Sequence, residues 1–156
     1  MTSTSQASGH LLRLDVSVIL FEASGDAKRT KAAEAAEAAQ AEAVQRAAEV
    51  VLKAFNYSAS IPDARQKCVR DLTIVHRHCI YAMLTDDQDF LQQKLLSWLQ
   101  PVLQSREFPG GAESIRGAYS VLRQETLARV DAEAGELLEP YLTLAVNQLS
   151  QKPSSR

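Results

Sequence analysis

From Asp26 to Phe55 the chain runs through a long alanine-rich stretch in which Ala33, Ala36, Gln40, Ala43, Ala47, Val51 and Phe55 recur at steps of three and four. That spacing lines up one face of an α-helix and predicts a single long helix from about Asp26 to Phe55. Alanine on the apolar face lets a neighbouring helix come close, while the Glu and Lys residues of the other face read as ordinary solvated surface. A coiled-coil arm is the rival reading of the same seam, weakened because alanine is a poor driver of self-association.

The same three- and four-residue spacing recurs almost everywhere, and no segment offers a convincing period-two run, so the expected fold class is all-α. A first helix is expected from about Leu11 to Ala23, with Ser24-Gly25-Asp26 as a stop and a new cap. Asn56 to Ser60 reads as a turn. Ser60 and Asp63, flanking Pro62, form a capping arrangement for a helix that continues to about Leu84. Thr85-Asp86-Asp87 should end it and cap the next, from Asp89 to Arg106, with a kink at Pro101. Phe108-Pro109-Gly110-Gly111 is a turn, followed by helices from about Ala112 to Val130 and from Ala132 to Ser150, the last bent at Pro140. With 156 residues, 46% of them hydrophobic, the chain has material for one sizeable core. The expected layout is one domain over residues 11–151 between flexible ends, 1–10 and 152–156. Periodicity leaves open whether the helices pack crosswise, as in globins, or as an up-down bundle.

Charge excludes some functions. The 17 basic and 19 acidic residues are scattered, giving a net charge of −2, so no strong positive field is available for nucleic acid. The apolar stretch from Leu11 to Phe21 is interrupted by Arg13 and Asp15 and falls short of the roughly 20 residues a bilayer requires. Met1 to His10 lacks the basic start of a secretory signal. Cys68 and Cys79 lie eleven residues apart on one expected helix, roughly 16 Å along its axis. They are too far apart to pair with each other, which fits a reducing compartment.

Cys68-Val69-Arg70-Asp71-Leu72 is the most informative stretch. On a helix Cys68 and Asp71 share a face one turn apart, and Arg70 projects from the flank. A linear tetrapyrrole held by a thioether requires a thiol, a carboxylate for its pyrrole N–H groups and a cation for its propionates. By spacing alone, though, a helical Cys is more often a small core residue and an Arg beside an Asp a surface ion pair. Other candidates carry less. His76 and His78 point to different faces and make a poor metal pair, so no metal site is expected. Asp89 to Arg106 contains no histidine to hold a haem. Trp98 and Tyr119 read as core. No phosphate loop, nucleophile triad or paired-carboxylate cleft can be assembled, and no enzyme is expected.

Cys68-Val69-Arg70-Asp71-Leu72, followed at fixed distances by Arg77, Tyr81, Asp87 and Pro109-Gly110, resembles the central block of phycocyanin and allophycocyanin subunits, and the likeness continues loosely to the end of the chain. The resemblance implies a globin-like helical fold of the phycobilisome type. It further implies one bilin, phycocyanobilin foremost, with Cys68 as the covalent attachment, Arg70 on a propionate and Asp71 on the two middle pyrrole nitrogens. Arg65 and Lys67 stand loosely for the basic residues that precede the family's cysteine and are possible propionate contacts. Arg77 and Tyr81, with Asp15 from the N-terminal part, fall where the family's paired subunits meet. Cys79 is expected in the core in preference to a second pigment site.

Departures mark a divergent paralogue. Ile74 and Val75 stand where allophycocyanin has a tyrosine pair, and Leu99-Gln100-Pro101-Val102-Leu103 lacks the tyrosine that approaches the pigment. The loop before Cys68 is short, and the N-terminal helical extension is reduced. The function implied is a light-harvesting or energy-transfer subunit at the cytoplasmic (stromal) face of the thylakoid. Its expected partner is another phycobiliprotein-like subunit, a phycobilisome linker or a photosystem. The alternative is a pigment-free globin-like adaptor binding phycobilisome or photosystem components.

Overall fold

A computed structural model of the chain describes residues 27–54, 63–97, 99–101 and 111–150. The expected first helix from Leu11 to Ala23, the turns at Asn56 to Ser60 and Phe108 to Gly110, both chain ends and the side chain of Trp98 lie outside the described residues. Within them, α1 spans Ala27–Ala54, α2 Ala64–Thr85, α4 Gly111–Ala128 and α5 Ala132–Leu149. Between α2 and α4, a short α3 (Gln88–Phe90) opens directly into a π-helical segment, Leu91–Leu96. No strand occurs among the described residues.

The alanine seam of α1 is the axis of the core. Ala33, Ala36, Ala43 and Ala47 are fully buried, and α1 packs most extensively against α4 and α2, then α5. Burying alanine costs no side-chain entropy and keeps the helices close. The bulk that fills the space comes from the facing helices, through Leu72, Ile80, Met83, Leu122, Leu138 and Leu149. α5 in turn touches α1, α2 and α4. Helices that each meet three others match the crosswise, globin-like option more closely than an up-down ring. The coiled-coil rival fails because the seam is consumed inside its own chain.

The Thr85-Asp86-Asp87 junction follows the sequence, and α5 has a cap that the sequence reading did not name. Asp131 accepts from the Ala134 N–H at 2.9 Å and starts α5, and Asp87 accepts from the Phe90 N–H at 2.9 Å and starts α3. Asp86 ends α2 in the left-handed region, φ 53°, its N–H returned to Ala82 and Met83. Asp63 departs from expectation. It precedes α2 but sits at φ 56° and makes no side-chain cap, because a capping side chain needs an extended backbone to reach over the first turn.

The Asp89–Arg106 helix is also corrected. It begins at Gln88 and loosens at once into the π-helical segment. Leu91 and Leu96, five residues apart, are both fully buried. An α-helix would turn them to different sides, whereas i→i+5 bonding brings both onto the core. Pro140 lies inside α5 without ending it, on the exposed face, where the Glu136 carbonyl that loses its partner meets water.

Polar ties fix the helices in register. His76 is fully buried between α1 and α4; its Nδ1 is hydrogen-bonded to Gln40 Oε1 at 2.8 Å and its Nε2 to the Thr126 hydroxyl at 3.0 Å. At the far end of α2, Arg29 of α1 donates to the Met83 carbonyl and pairs with Asp86 at 3.6 Å, while Tyr141 of α5 donates to Asp86 at 2.9 Å. Burial, aided by the nearby Arg77 charge, lowers the pKa of His76 to about 4.

Two outcomes are expected. Ala43→Leu should overpack the seam and cost about 1–3 kcal/mol, lowering the thermal midpoint by several degrees, whereas Ala41→Leu on the exposed face should be near neutral. His76 stays neutral in the folded chain while an unfolded histidine, with its ordinary value near 6.5, takes up a proton, so the stability present above that value is lost as pH falls toward 4. The loss is on the order of 3 kcal/mol. Denaturant titrations at pH 7 and pH 5 should show this slope in the wild type and a shallower one in His76→Gln.

Candidate functional site

α2 forms its first turns as a helix without an acidic residue at the start, and Cys68 and Asp71 fall on one face of it. Cys68 is half-buried and Asp71 is 7% exposed. The two are close enough for the Asp71 charge to act on the thiol. Burial first, then Asp71, pushes the Cys68 pKa up to about 12, against the opposing pull of Arg65. At neutral pH the sulfur is therefore protonated and a weak nucleophile.

Arg70 differs from the expected outward cation. It leaves the flank of α2 but curls back, placing Nε and Nη2 each 3.1 Å from Asp71 Oδ1. Asp71 is thus a buried carboxylate held by the guanidinium next to it in a charge-assisted arrangement.

The two other cations of the first turn, Arg65 and Lys67, are exposed. Arg65 crosses to α1 and donates to Gln45 Oε1 at 3.3 Å. It also lines an open cleft of about 590 Å³ with Glu49, Val50, Leu52 and Lys53 from the end of α1. Ile74 and Val75 are buried in the core.

Further along α2, Arg77 and Tyr81 occupy the half-buried edge. Tyr81 lies in a tilted contact with Phe90 at 4.5 Å, and His78 stacks with the same ring at 5.7 Å. Phe90 was missed by sequence reasoning, because its partners lie across the Asp86 turn and nothing in the local pattern joins them. Asp15 lies outside the described residues. Cys79 is fully buried, donates to the Tyr141 carbonyl at 3.6 Å and has its own pKa raised to about 12 by burial. His76 and His78 make separate contacts, and among the described residues no group of His, Cys, Asp and Glu is gathered to hold a metal. No helix among them is long and apolar enough to cross a membrane.

The donor set suits a covalently tethered linear tetrapyrrole. Cys68 supplies a partly accessible sulfur, Asp71 a buried acceptor one turn away, and Arg70, Arg65 and Lys67 three cations around them. Arg70 must release Asp71 to serve a propionate.

A family model described as phycobilisome protein matches residues 15–149. Among curated proteins, the chain is 32% identical over 83 residues to the allophycocyanin subunit beta of a Nostoc species, covering 53% of this chain and 50% of that one. It is 31% identical over the same length to an allophycocyanin beta chain of a Synechocystis species. The chain spans about half the length of the curated relatives it matches. No solved structure matches. With a family match over nearly its whole length and an all-α, globin-like frame, the chain belongs to the phycobilisome protein family.

Proposed function

We propose that the chain is a light-harvesting or energy-transfer subunit carrying one bilin on Cys68, phycocyanobilin being the pigment of choice. The observation that carries this reading is the buried Asp71 carboxylate one helical turn from the half-buried Cys68 thiol. When bound, the pigment supplies absorption of visible light and transfer of the excitation. The rest is done by the chain. Cys68 fixes the pigment through a thioether. Asp71 accepts hydrogen bonds from the two middle pyrrole N–H groups and stabilises their protonated form. Arg70 swings from Asp71 to a propionate, and Arg65 and Lys67 are available to the same groups. The packed faces of α1 and α2 exclude water and restrict twisting. No catalytic step is assigned to any residue.

The Cys68 thiol must lose a proton to form its bond, and at neutral pH its raised pKa leaves very little thiolate. Attachment on this reading depends on a helper that delivers the pigment and accepts the proton. The domain over 11–151 would pair with a like or unlike phycobiliprotein subunit through Asp15, Arg77 and Tyr81. The assembly would sit at the stromal face of the thylakoid with a linker or photosystem as further partner.

A second reading, a pigment-free adaptor of the same assemblies, is favoured by the closed Arg70–Asp71 pair and the protonated thiol. Co-expression with bilin synthesis and attachment enzymes separates the two. The pigmented reading expects a coloured protein whose denatured band fluoresces with zinc and a colourless Cys68→Ser; a colourless wild type that still co-purifies with phycobilisome components selects the adaptor. Asp71→Asn should keep the covalent pigment but shift its main band to shorter wavelength and weaken its fluorescence, read by absorption and emission spectra. Without a helper, attachment of free bilin to the unloaded chain should be slow at pH 7 and rise about tenfold per pH unit, following the thiolate fraction.

A further inference from the structure

Arg70 and Asp71 are sequence neighbours, and successive side chains leave a helix about 100° apart. A guanidinium reaches the carboxylate of the next residue only by folding its stem across the helix surface, which gives up the rotamer freedom an outward arginine keeps. Arg70 does so with two nitrogens on one atom. Its Nε and Nη2 each lie 3.1 Å from Asp71 Oδ1 and fill the two acceptor positions of that oxygen. The two partners differ in exposure, the Arg70 side chain being 43% exposed and that of Asp71 10%.

That asymmetry decides how the pair opens. A guanidinium at the surface passes into water at little cost, whereas a carboxylate closed off from water and stripped of its partner is strongly disfavoured. The pair therefore stays closed until another set of donors takes Oδ1. The middle pyrrole N–H groups of a bilin are such a set, aimed at a carboxylate that Arg70 already holds. Entry of the pigment is then an exchange of donors at one buried oxygen.

We propose that Arg70 acts as a specificity gate on the pigment site: in the unloaded chain its guanidinium stands in for the pyrrole N–H groups on Asp71, and only a ligand that presents matching donors to that carboxylate displaces it. The proposal rests on the reading of Cys68 as the pigment attachment. A ligand without such donors, an apolar molecule or a tetrapyrrole with alkylated inner nitrogens, cannot take the place of Arg70, because Asp71 would be left buried and unpaired. The gate lowers the affinity of the right pigment as well, by the fraction of time the pair is open.

The test separates the gate from any attraction between Arg70 and the pigment's own carboxylates by using phycocyanobilin dimethyl ester, in which those carboxylates are masked. Full-length chains carrying Cys68→Ser, so that binding is reversible, are titrated with the ester and followed by its absorption band, with helix content checked by far-ultraviolet circular dichroism. Arg70→Gln should bind the ester about two- to fivefold more tightly than the chain that retains Arg70, the factor expected of a partly exposed ion pair. In an Asp71→Asn background the same substitution should bring no gain, since the gate then has nothing to hold. In the chain that retains Arg70, nitrogen-15 spectra should show the Arg70 Nε–H protected from solvent exchange before the ester is added and exchanging rapidly afterwards, a readout that does not depend on how the variants fold.

Equal, weaker or no binding of the ester by Arg70→Gln, or an Arg70 Nε–H that stays protected while the ester is bound, would overturn the gate and leave the Cys68 attachment standing. The attachment has its own readout, the intact mass of the wild type co-expressed with phycocyanobilin synthesis and attachment enzymes; a wild type that takes no pigment there would remove that reading and this inference with it.

Discussion

His76, sealed between Gln40 of α1 and Thr126 of α4, sets the spacing on which the rest of the fold depends. Both ring nitrogens are hydrogen-bonded, one to each neighbouring helix. The distance between α2 and its two neighbours is therefore fixed by hydrogen-bond length as well as by packing. The alanines of α1 make that distance reachable, since a larger side chain at Ala36, Ala43 or Ala47 would push α2 or α4 away before the imidazole could reach its partners. A second tie, Arg29 and Tyr141 on Asp86, holds the opposite end of α2 against α1 and α5.

Clamped at its middle and its end, α2 presents its first two turns at the edge of the molecule. This position gives Cys68 and Asp71 unequal environments on one face, the sulfur partly accessible and the carboxylate nearly closed off. The same burial has two chemical effects. It suppresses thiolate at Cys68, and it makes any hydrogen bond accepted by Asp71 stronger than it would be in water. A site that is slow to react yet grips firmly once filled suits a permanently attached group better than one that exchanges.

Much of the frame was legible because helix periodicity survives in any sequence that must bury one face. The limits of α1, the Asp86-Asp87 junction and the start of α5 fell within two residues of expectation. What escaped depends on tertiary context. The π-helical segment exists so that Leu91 and Leu96 can both reach the core, which spacing in one helix does not announce. Asp63 looks like a cap in sequence but has a left-handed backbone that turns its side chain away. Cys68 and Asp71 were visible as a pair one turn apart. The folding of Arg70 onto Asp71 is a rotamer choice. The partners of His76 lie 36 and 50 residues away and leave no local trace.

The most direct examination of the central claim is a peptide map of the protein purified from cells that make bilins. Trypsin cuts after Lys67 and after Arg70, isolating Cys68 in the tripeptide Cys68-Val69-Arg70, while Cys79 leaves in a separate peptide that begins at His78. The account predicts tetrapyrrole mass and visible absorbance on the tripeptide and a bare thiol in the other. An unmodified tripeptide, or pigment on Cys79 in its place, would contradict it.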